Sequence, residues 1–136
     1  MSDKYPVQLQ ITSMNGDETI RQTVNGQRYT RGANQYFRYE ENEPGMGATS
    51  TLLKVSPEEI RVIRQGDIES EQTFAVGETR PGFYRTPQGT LHLTTRAESV
   101  SVQLDNGIGS ISWSYEMHLA GEYAGTFRLE IEVGNR

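Results

Sequence analysis

Four polar side chains stand where the alternation of the sequence predicts apolar, inward-facing residues. Arg64 and Glu41 each follow two apolar residues at a spacing of two, and Gln72 and Gln22 interrupt similar apolar series. Burying a charge or an amide without a partner is costly. Polar side chains on the apolar face therefore predict either internal partners or a site that binds a ligand.

Arg64 carries the sharpest chemical hypothesis. Its planar guanidinium suits bidentate recognition of a carboxylate or an amide, so Arg64 and Glu41 are predicted binding residues in a polar pocket. The alternative, which the residues alone favour, is structural. In that case Arg64 pairs with Glu41, or both lie where strand ends meet solvent.

The stretch PGFYRTPQGTLHL at 81–93 supplies the other two predicted binding residues, Tyr84 and Thr86. Pro87 fixes one φ angle and favours an extended conformation at the residue before it. The segment 77–89 is predicted to be a rigid loop across one end of the fold. It is either a lid over a ligand or a plug that seals the core, and the plug is slightly favoured.

No metal, cofactor or catalytic residue is predicted. The chain has no cysteine, and its two histidines, His92 and His118, alternate with apolar residues in separate strands, so both are expected to face solvent. The glycine strings at 45–50 and 107–112 run into strands and lack the Gly-Lys pair of a nucleotide-binding loop. With no recognisable nucleophile and base, the sequence favours a protein that is not an enzyme.

Length and charge limit the partners. The 136 residues predict one domain, 1–136, and the net charge of −5 argues against nucleic acid, whose phosphates a protein must neutralise. No apolar run is long enough for a signal peptide or a membrane span, so no membrane partner is expected and a cytoplasmic location is predicted.

Alternation with period two dominates the chain, and turn signals such as those at 15–17, 25–26, 105–107 and 120–121 separate the alternating segments. These patterns predict an all-β protein with little or no helix. The predicted strands lie near 5–14, 18–24, 27–31, 35–41, 48–55, 59–65, 68–76, 90–96, 99–105, 108–119 and 122–133.

Sequential strands without a covering helix must protect two sheet edges. A single antiparallel up-and-down β-barrel of about eight to ten strands does so by closing on itself. A sandwich is the competing fold, but it usually needs longer crossover links, and only 42–47 and 77–89 are long enough here.

The order of these features resembles the YwiB-like family of uncharacterised bacterial β-barrel proteins. The pair Arg64-x-Gly66 and the string Tyr84-x-Thr86-Pro87-x-Gly89 are the most specific parts. The resemblance implies a calycin-like barrel, similar in fold to lipocalins, and assigns no activity. The segments that carry it are QYFRYEE at 35–41, TSTLLKV at 49–55, IRVIRQGDIESEQTF at 60–74, YRTPQGTLHL at 84–93 and SWSYEMHLAGEYAGTFRLEIEV at 112–133.

Two functions remain open at this point. The first is binding of a small molecule in the barrel lumen or at its mouth. The second is an interaction or structural module, such as a homodimer, with a filled barrel and exposed aromatic residues at Tyr36, Tyr84 and Tyr123. A lumen packed solid would exclude the first.

Overall fold

The computed structural model describes residues 4–41 and 44–136, and this part of the chain contains β-strands and no helix. The predicted all-β class is confirmed. Within it, no helix is long and apolar enough to cross a membrane. The strands are β1 Tyr5–Asn15, β2 Glu18–Arg31, β3 Asn34–Glu40, β4 Thr49–Val55, β5 Glu59–Gly66, β6 Glu69–Ala75, β7 Thr79–Thr86, β8 Gly89–Asp105, β9 Ile108–Leu119 and β10 Glu122–Asn135.

Each strand pairs antiparallel with the next along the chain, and β1 pairs with β10, which closes the sheet into a barrel. In the closing ladder Ile11 lies opposite Ile131, and Val7 lies opposite Asn135. An up-and-down barrel is thereby confirmed and the sandwich is excluded. Closure removes both sheet edges, which an open sheet would expose to other chains.

Apolar side chains fill one end of the barrel. Leu9, Phe37, Ile60 and Ile111 are each 0% exposed there, and Trp113 is 1% exposed at the boundary with the other half. Their alternation with outward polar residues is the pattern from which the strands were predicted. Burial of these side chains stabilises the barrel through the hydrophobic effect.

The barrel narrows where β6 meets β8 without β7 between them. Val76 pairs in parallel with Ala97, and the Thr95 hydroxyl donates to the Thr73 carbonyl at 2.6 Å. β7 pairs with β6 only between residues 69–71 and 83–85. The wall thus has one strand fewer at this level, which brings the facing side chains closer together.

The predicted turn at Asn25-Gly26 is wrong, because both residues lie inside β2, which replaces the predicted strands 18–24 and 27–31. A Cβ atom on Gly26 would lie 2.5 Å from the carbonyl oxygen of Arg38. Glycine is needed here for the close approach of β3, rather than for the positive φ of a hairpin turn.

The predicted loop at 77–89 is also wrong. Its residues include all of β7 and the turn into β8, and Pro81 lies opposite Thr94 in the ladder. The segment is therefore part of the barrel wall and is neither a lid over a ligand nor a plug in the core. The other predicted long link, 42–47, includes residues 42 and 43, which lie outside the described residues.

One further predicted break, between 96 and 99, is a β-bulge. β8 runs continuously through it, and the pairing with β9 shifts register between Ala97 and Ser99. A bulge inserts one extra residue and inverts the alternation without ending the strand. The predicted turns at 15–17, 105–107 and 120–121 are confirmed, and Asn106 and Ala120 have φ angles of 53° and 49°.

Candidate ligand-binding site in the barrel lumen

A row of polar inward positions crosses four neighbouring strands towards the mouth of the barrel. Arg64 on β5 lies opposite Thr51 on β4 and Ser70 on β6, and Ser70 lies opposite Tyr84 on β7. Cross-strand partners in an antiparallel pair place their side chains on the same face. We call Thr51, Arg64, Ser70 and Tyr84 the polar row.

Glu41 joins the polar row from the end of β3. Its Oε2 accepts a hydrogen bond from the Thr51 hydroxyl at 2.8 Å and lies 3.6 Å from Nε of Arg64. The Glu41 side chain is 2% exposed, whereas that of Arg64 is 22% exposed. The predicted ion pair between the two residues is present, whereas solvent at the mouth reaches Arg64 and not Glu41.

A cavity of about 330 Å³ extends from Arg64 into the lumen. Its deeper wall is aromatic: the Phe74 ring lies 4.4 Å from Tyr115 and 5.6 Å from Trp113, and Tyr115 lies 5.4 Å from Phe127, all between ring centroids. The lumen is thus packed at one end and open at the other. A ligand in this cavity would meet apolar rings below and polar groups above.

A second cavity of about 240 Å³ adjoins the first at the mouth. Arg64 and Tyr39 line both cavities, while Glu41, Gln22 and Tyr84 line the second. Because the cavities share lining residues, a ligand whose apolar part lies in the first has room for its head group in the second.

Burial raises the pKa of Tyr115 from its ordinary 10.0 to about 12, although the nearby Arg64 charge acts in the opposite direction. An ionised phenol is poorly solvated in the apolar interior, which is why burial prevails. Tyr115 is therefore a neutral hydroxyl in the cavity wall at any physiological pH.

Several buried polar atoms around the lumen have no hydrogen-bond partner within the described protein: Gln22 Oε1, Arg64 Nε, Ser70 Oγ and Trp113 Nε1. Such an atom costs about 1–3 kcal/mol when it stays unpaired. Three of the four residues also line a cavity. The site thus offers both hydrogen-bond donors and an acceptor to a bound molecule.

Of the four predicted binding residues, the structure brings three together and separates the fourth. Arg64, Glu41 and Tyr84 line the mouth cavity. Thr86 belongs instead to the turn between β7 and β8, where its Oγ1 accepts from the backbone N–H of Gln88 at 3.1 Å. Sequence analysis missed Ser70, an inward hydroxyl that the pairing of β6 with Arg64 on β5 would have revealed.

The structure also revises the expectation that Tyr84 is an exposed aromatic residue. Tyr84 lines the lumen and is not an outward aromatic residue, whereas Phe83 lies on the outer face with the Arg85 guanidinium 5.2 Å from its ring centre. Tyr36 stacks on Tyr29 at 4.9 Å, and Tyr123 is 62% exposed.

The histidines lie outside the site. His92 is exposed, and His118 is half-buried with its Nε2 3.9 Å from Glu116 Oε1 and its ring edge-on to Tyr123. Among the residues that the structure describes, no group of three or more acidic, histidine or cysteine side chains is placed to hold a metal ion.

Fold and site together define a small closed β-barrel whose lumen is apolar at one end and contains a buried ion pair at the other. The chain belongs to the family described as a domain of unknown function, DUF1934, whose model matches residues 6–131. The predicted family is thereby confirmed, since a curated relative is the uncharacterized beta-barrel protein YwiB of Bacillus subtilis (strain 168). That protein is 32% identical over 126 residues, covering 90% of this chain and 88% of YwiB.

A solved structure confirms the fold independently. The crystal structure of the ywiB protein from Bacillus subtilis matches with a TM-score of 0.78 at 25% identity, covering 97% of this chain and 94% of that one.

Proposed function

We propose that this barrel binds one small amphipathic molecule in its lumen. The apolar part of the ligand packs against Phe74, Trp113 and Tyr115, and its carboxylate or amide head group lies beside Arg64. The observation that carries the proposal is the 330 Å³ cavity, which is lined both by aromatic rings and by Arg64, whose Nε is buried without a hydrogen-bond partner.

The size and chemistry of the cavity support this proposal. Small-molecule sites usually measure about 300–1,000 Å³, are mostly apolar and contain a few polar groups that orient the ligand. This cavity lies at the small end of that range, which favours a ligand with few heavy atoms. Arg64 Nε in this cavity and Gln22 Oε1 in the adjoining mouth cavity are buried groups without a hydrogen-bond partner that could orient it.

The alternative, a homodimeric module with a filled barrel, has less support. The lumen is only partly filled, and Tyr123, the most exposed large hydrophobic residue in the described chain, is engaged within its own hairpin. Its ring contacts His118, and its hydroxyl lies 3.0 Å from Thr126 Oγ1. A single-species light-scattering mass equal to two chains would revive the alternative.

The single tryptophan of the chain makes the proposal directly testable, because Trp113 lines the cavity. We expect 3-phenylpropanoate or 3-phenylpropanamide to change Trp113 fluorescence saturably. Arg64→Gln should weaken the binding about tenfold, which is the worth of a lost charge-assisted hydrogen bond. The matched control is Arg85→Gln, since Arg85 is 53% exposed and pairs with Glu69 on the outer face.

The proposal fails if neither these probes nor the amine and the amino acid with the same phenyl group perturb Trp113 fluorescence at millimolar concentration, and native mass spectrometry of the protein from its own host gives only the mass of the bare chain. Circular dichroism of Arg64→Gln distinguishes lost binding from lost folding.

A further inference from the structure

The mouth of the lumen presents both signs of charge to one space, because Arg64 and Glu41 line the same 240 Å³ cavity. Building on the proposed function, we infer that the ligand's head group is zwitterionic. The ligand class is an α-amino acid with an apolar side chain: its carboxylate binds Arg64 and its ammonium binds Glu41.

A purely anionic head group fits this site poorly. A carboxylate on Arg64 would stand beside Glu41, whose side chain is 2% exposed and whose main charge partner is that same Arg64. Two carboxylates competing for one guanidinium in a poorly solvated site repel each other. The Glu41 carboxylate would therefore repel a purely anionic head group.

A purely cationic head group meets the converse problem. An ammonium on Glu41 would stand beside the Arg64 guanidinium, which has Nε buried and no hydrogen-bond partner. A zwitterion leaves the net charge of the site unchanged and gives each buried charge a partner of opposite sign.

Glu41 is held in place for this role. Thr51, itself 1% exposed, donates its hydroxyl proton to Glu41 Oε2 at 2.8 Å, and the Glu41 backbone N–H donates to the Thr49 carbonyl at 2.8 Å. Fixing a carboxylate before the ligand arrives lowers the cost of ordering it on binding.

The aromatic residues that line the cavity indicate which side chain the amino acid carries. Phe74, Tyr115 and Phe127 line the cavity together with Arg64, so the side chain of the amino acid should be apolar or aromatic. The Trp113 indole then lies within the same lumen and reports its arrival.

The experiment compares each amino acid with analogues that lack one of its two charges. L-phenylalanine is titrated beside 3-phenylpropanoate and 2-phenylethylamine, and L-leucine beside 4-methylpentanoate, by calorimetry and Trp113 fluorescence at pH 7. We expect each amino acid to bind at least about tenfold more tightly than its analogues, because one charge-assisted contact is worth about that factor.

Two variants then test whether the ammonium of the ligand binds Glu41. Glu41→Gln should weaken L-phenylalanine about tenfold and strengthen 3-phenylpropanoate, whereas Glu69→Gln, on the outer face, should change neither. The opposite shifts of two ligands in one variant cannot come from partial unfolding, which would weaken both.

Two results overturn the inference while leaving the proposed function intact: tighter binding of 3-phenylpropanoate than of L-phenylalanine to the unmodified protein, or identical L-phenylalanine affinities in Glu41→Gln and Glu69→Gln. If none of the amino acids, acids, amines or the amide binds, the proposed function itself is wrong.

Discussion

Arg64 Nε lies 3.6 Å from Glu41 Oε2, yet the carboxylate side chain is almost fully buried while the guanidinium side chain is 22% exposed. Glu41 therefore depends on Arg64 for its stability more than Arg64 depends on Glu41. Removing Arg64 leaves a buried negative charge without its partner, whereas removing the Glu41 charge leaves a cation that can still reach water.

This asymmetry predicts unequal stability costs. Arg64→Met should lower the free energy of unfolding by about 3 kcal/mol, as for other broken buried pairs. Glu41→Gln should cost about 1 kcal/mol, because the amide can still accept from Thr51. Urea unfolding at pH 7 measures both, and the double variant should be more stable than Arg64→Met. Equal costs for the two single variants would show that Glu41 does not depend on Arg64.

Tyr115 predicts a loss of stability at high pH. Its pKa is raised to about 12 in the folded protein, so this group binds its proton more tightly when folded than when unfolded. Its contribution is fully present below about pH 10 and declines as the pH rises to about 12, by about 3 kcal/mol in total. Urea unfolding from about pH 8 to about pH 11.5 measures this decline. The free energy of unfolding should fall less over this range in Tyr115→Phe than in the unmodified protein.

The same tyrosine can be observed directly. The difference in absorbance at the phenolate band between the unmodified protein and Tyr115→Phe should titrate with a midpoint of about 12. A midpoint at the ordinary value would mean that solvent reaches the hydroxyl.

Gly26 and Gly134 form a matched pair of strand glycines, neither with a φ in the left-handed region. Gly26→Ala should cost about 2 kcal/mol, because the new methyl would meet the Arg38 carbonyl oxygen and force β2 and β3 apart. Gly134→Ala should be nearly neutral, since no atom lies within 4 Å of the added Cβ. Thermal unfolding compares them, and equal melting temperatures would contradict the close approach of β3.

Variants of Thr86 and Tyr84 test whether the turn between β7 and β8 takes part in ligand binding. Thr86→Ala should leave ligand affinity unchanged and cost about 0.5–1 kcal/mol of stability, because it loses the hydrogen bond from Gln88 N–H. Tyr84→Ala should weaken binding several-fold, since Tyr84 lines the mouth cavity. Trp113 fluorescence titrations measure the ligand affinity of both variants. A loss of affinity in Thr86→Ala would show that the turn is part of the binding site.

Alternation predicted the closed barrel and the inward positions of Arg64 and Glu41, because period two assigns each side chain to a face. It failed where glycine or proline stands inside a strand. Gly26 is required by a neighbouring backbone that the local sequence does not reveal, and Pro81 sits in β7 although prolines usually mark strand ends.

The site was only partly predictable for a different reason. Thr51, Ser70 and Arg64 become neighbours through the register in which β4, β5 and β6 pair, which the local pattern of each strand does not specify. The calycin-like relationship, the cytoplasmic location and the binding role of Arg64, Glu41 and Tyr84 stay predictions.

The pairing of β1 with β10 also governs how the chain can fold. Residues near opposite ends of the sequence, such as Val7 and Asn135, must find each other before the barrel closes. Ribosomal synthesis delivers β10 after the other nine strands of the barrel, so the nascent chain exposes the unpaired edge of β1 until β10 has emerged. Such long-range closure slows folding, and until it occurs the β1 edge can pair with other chains.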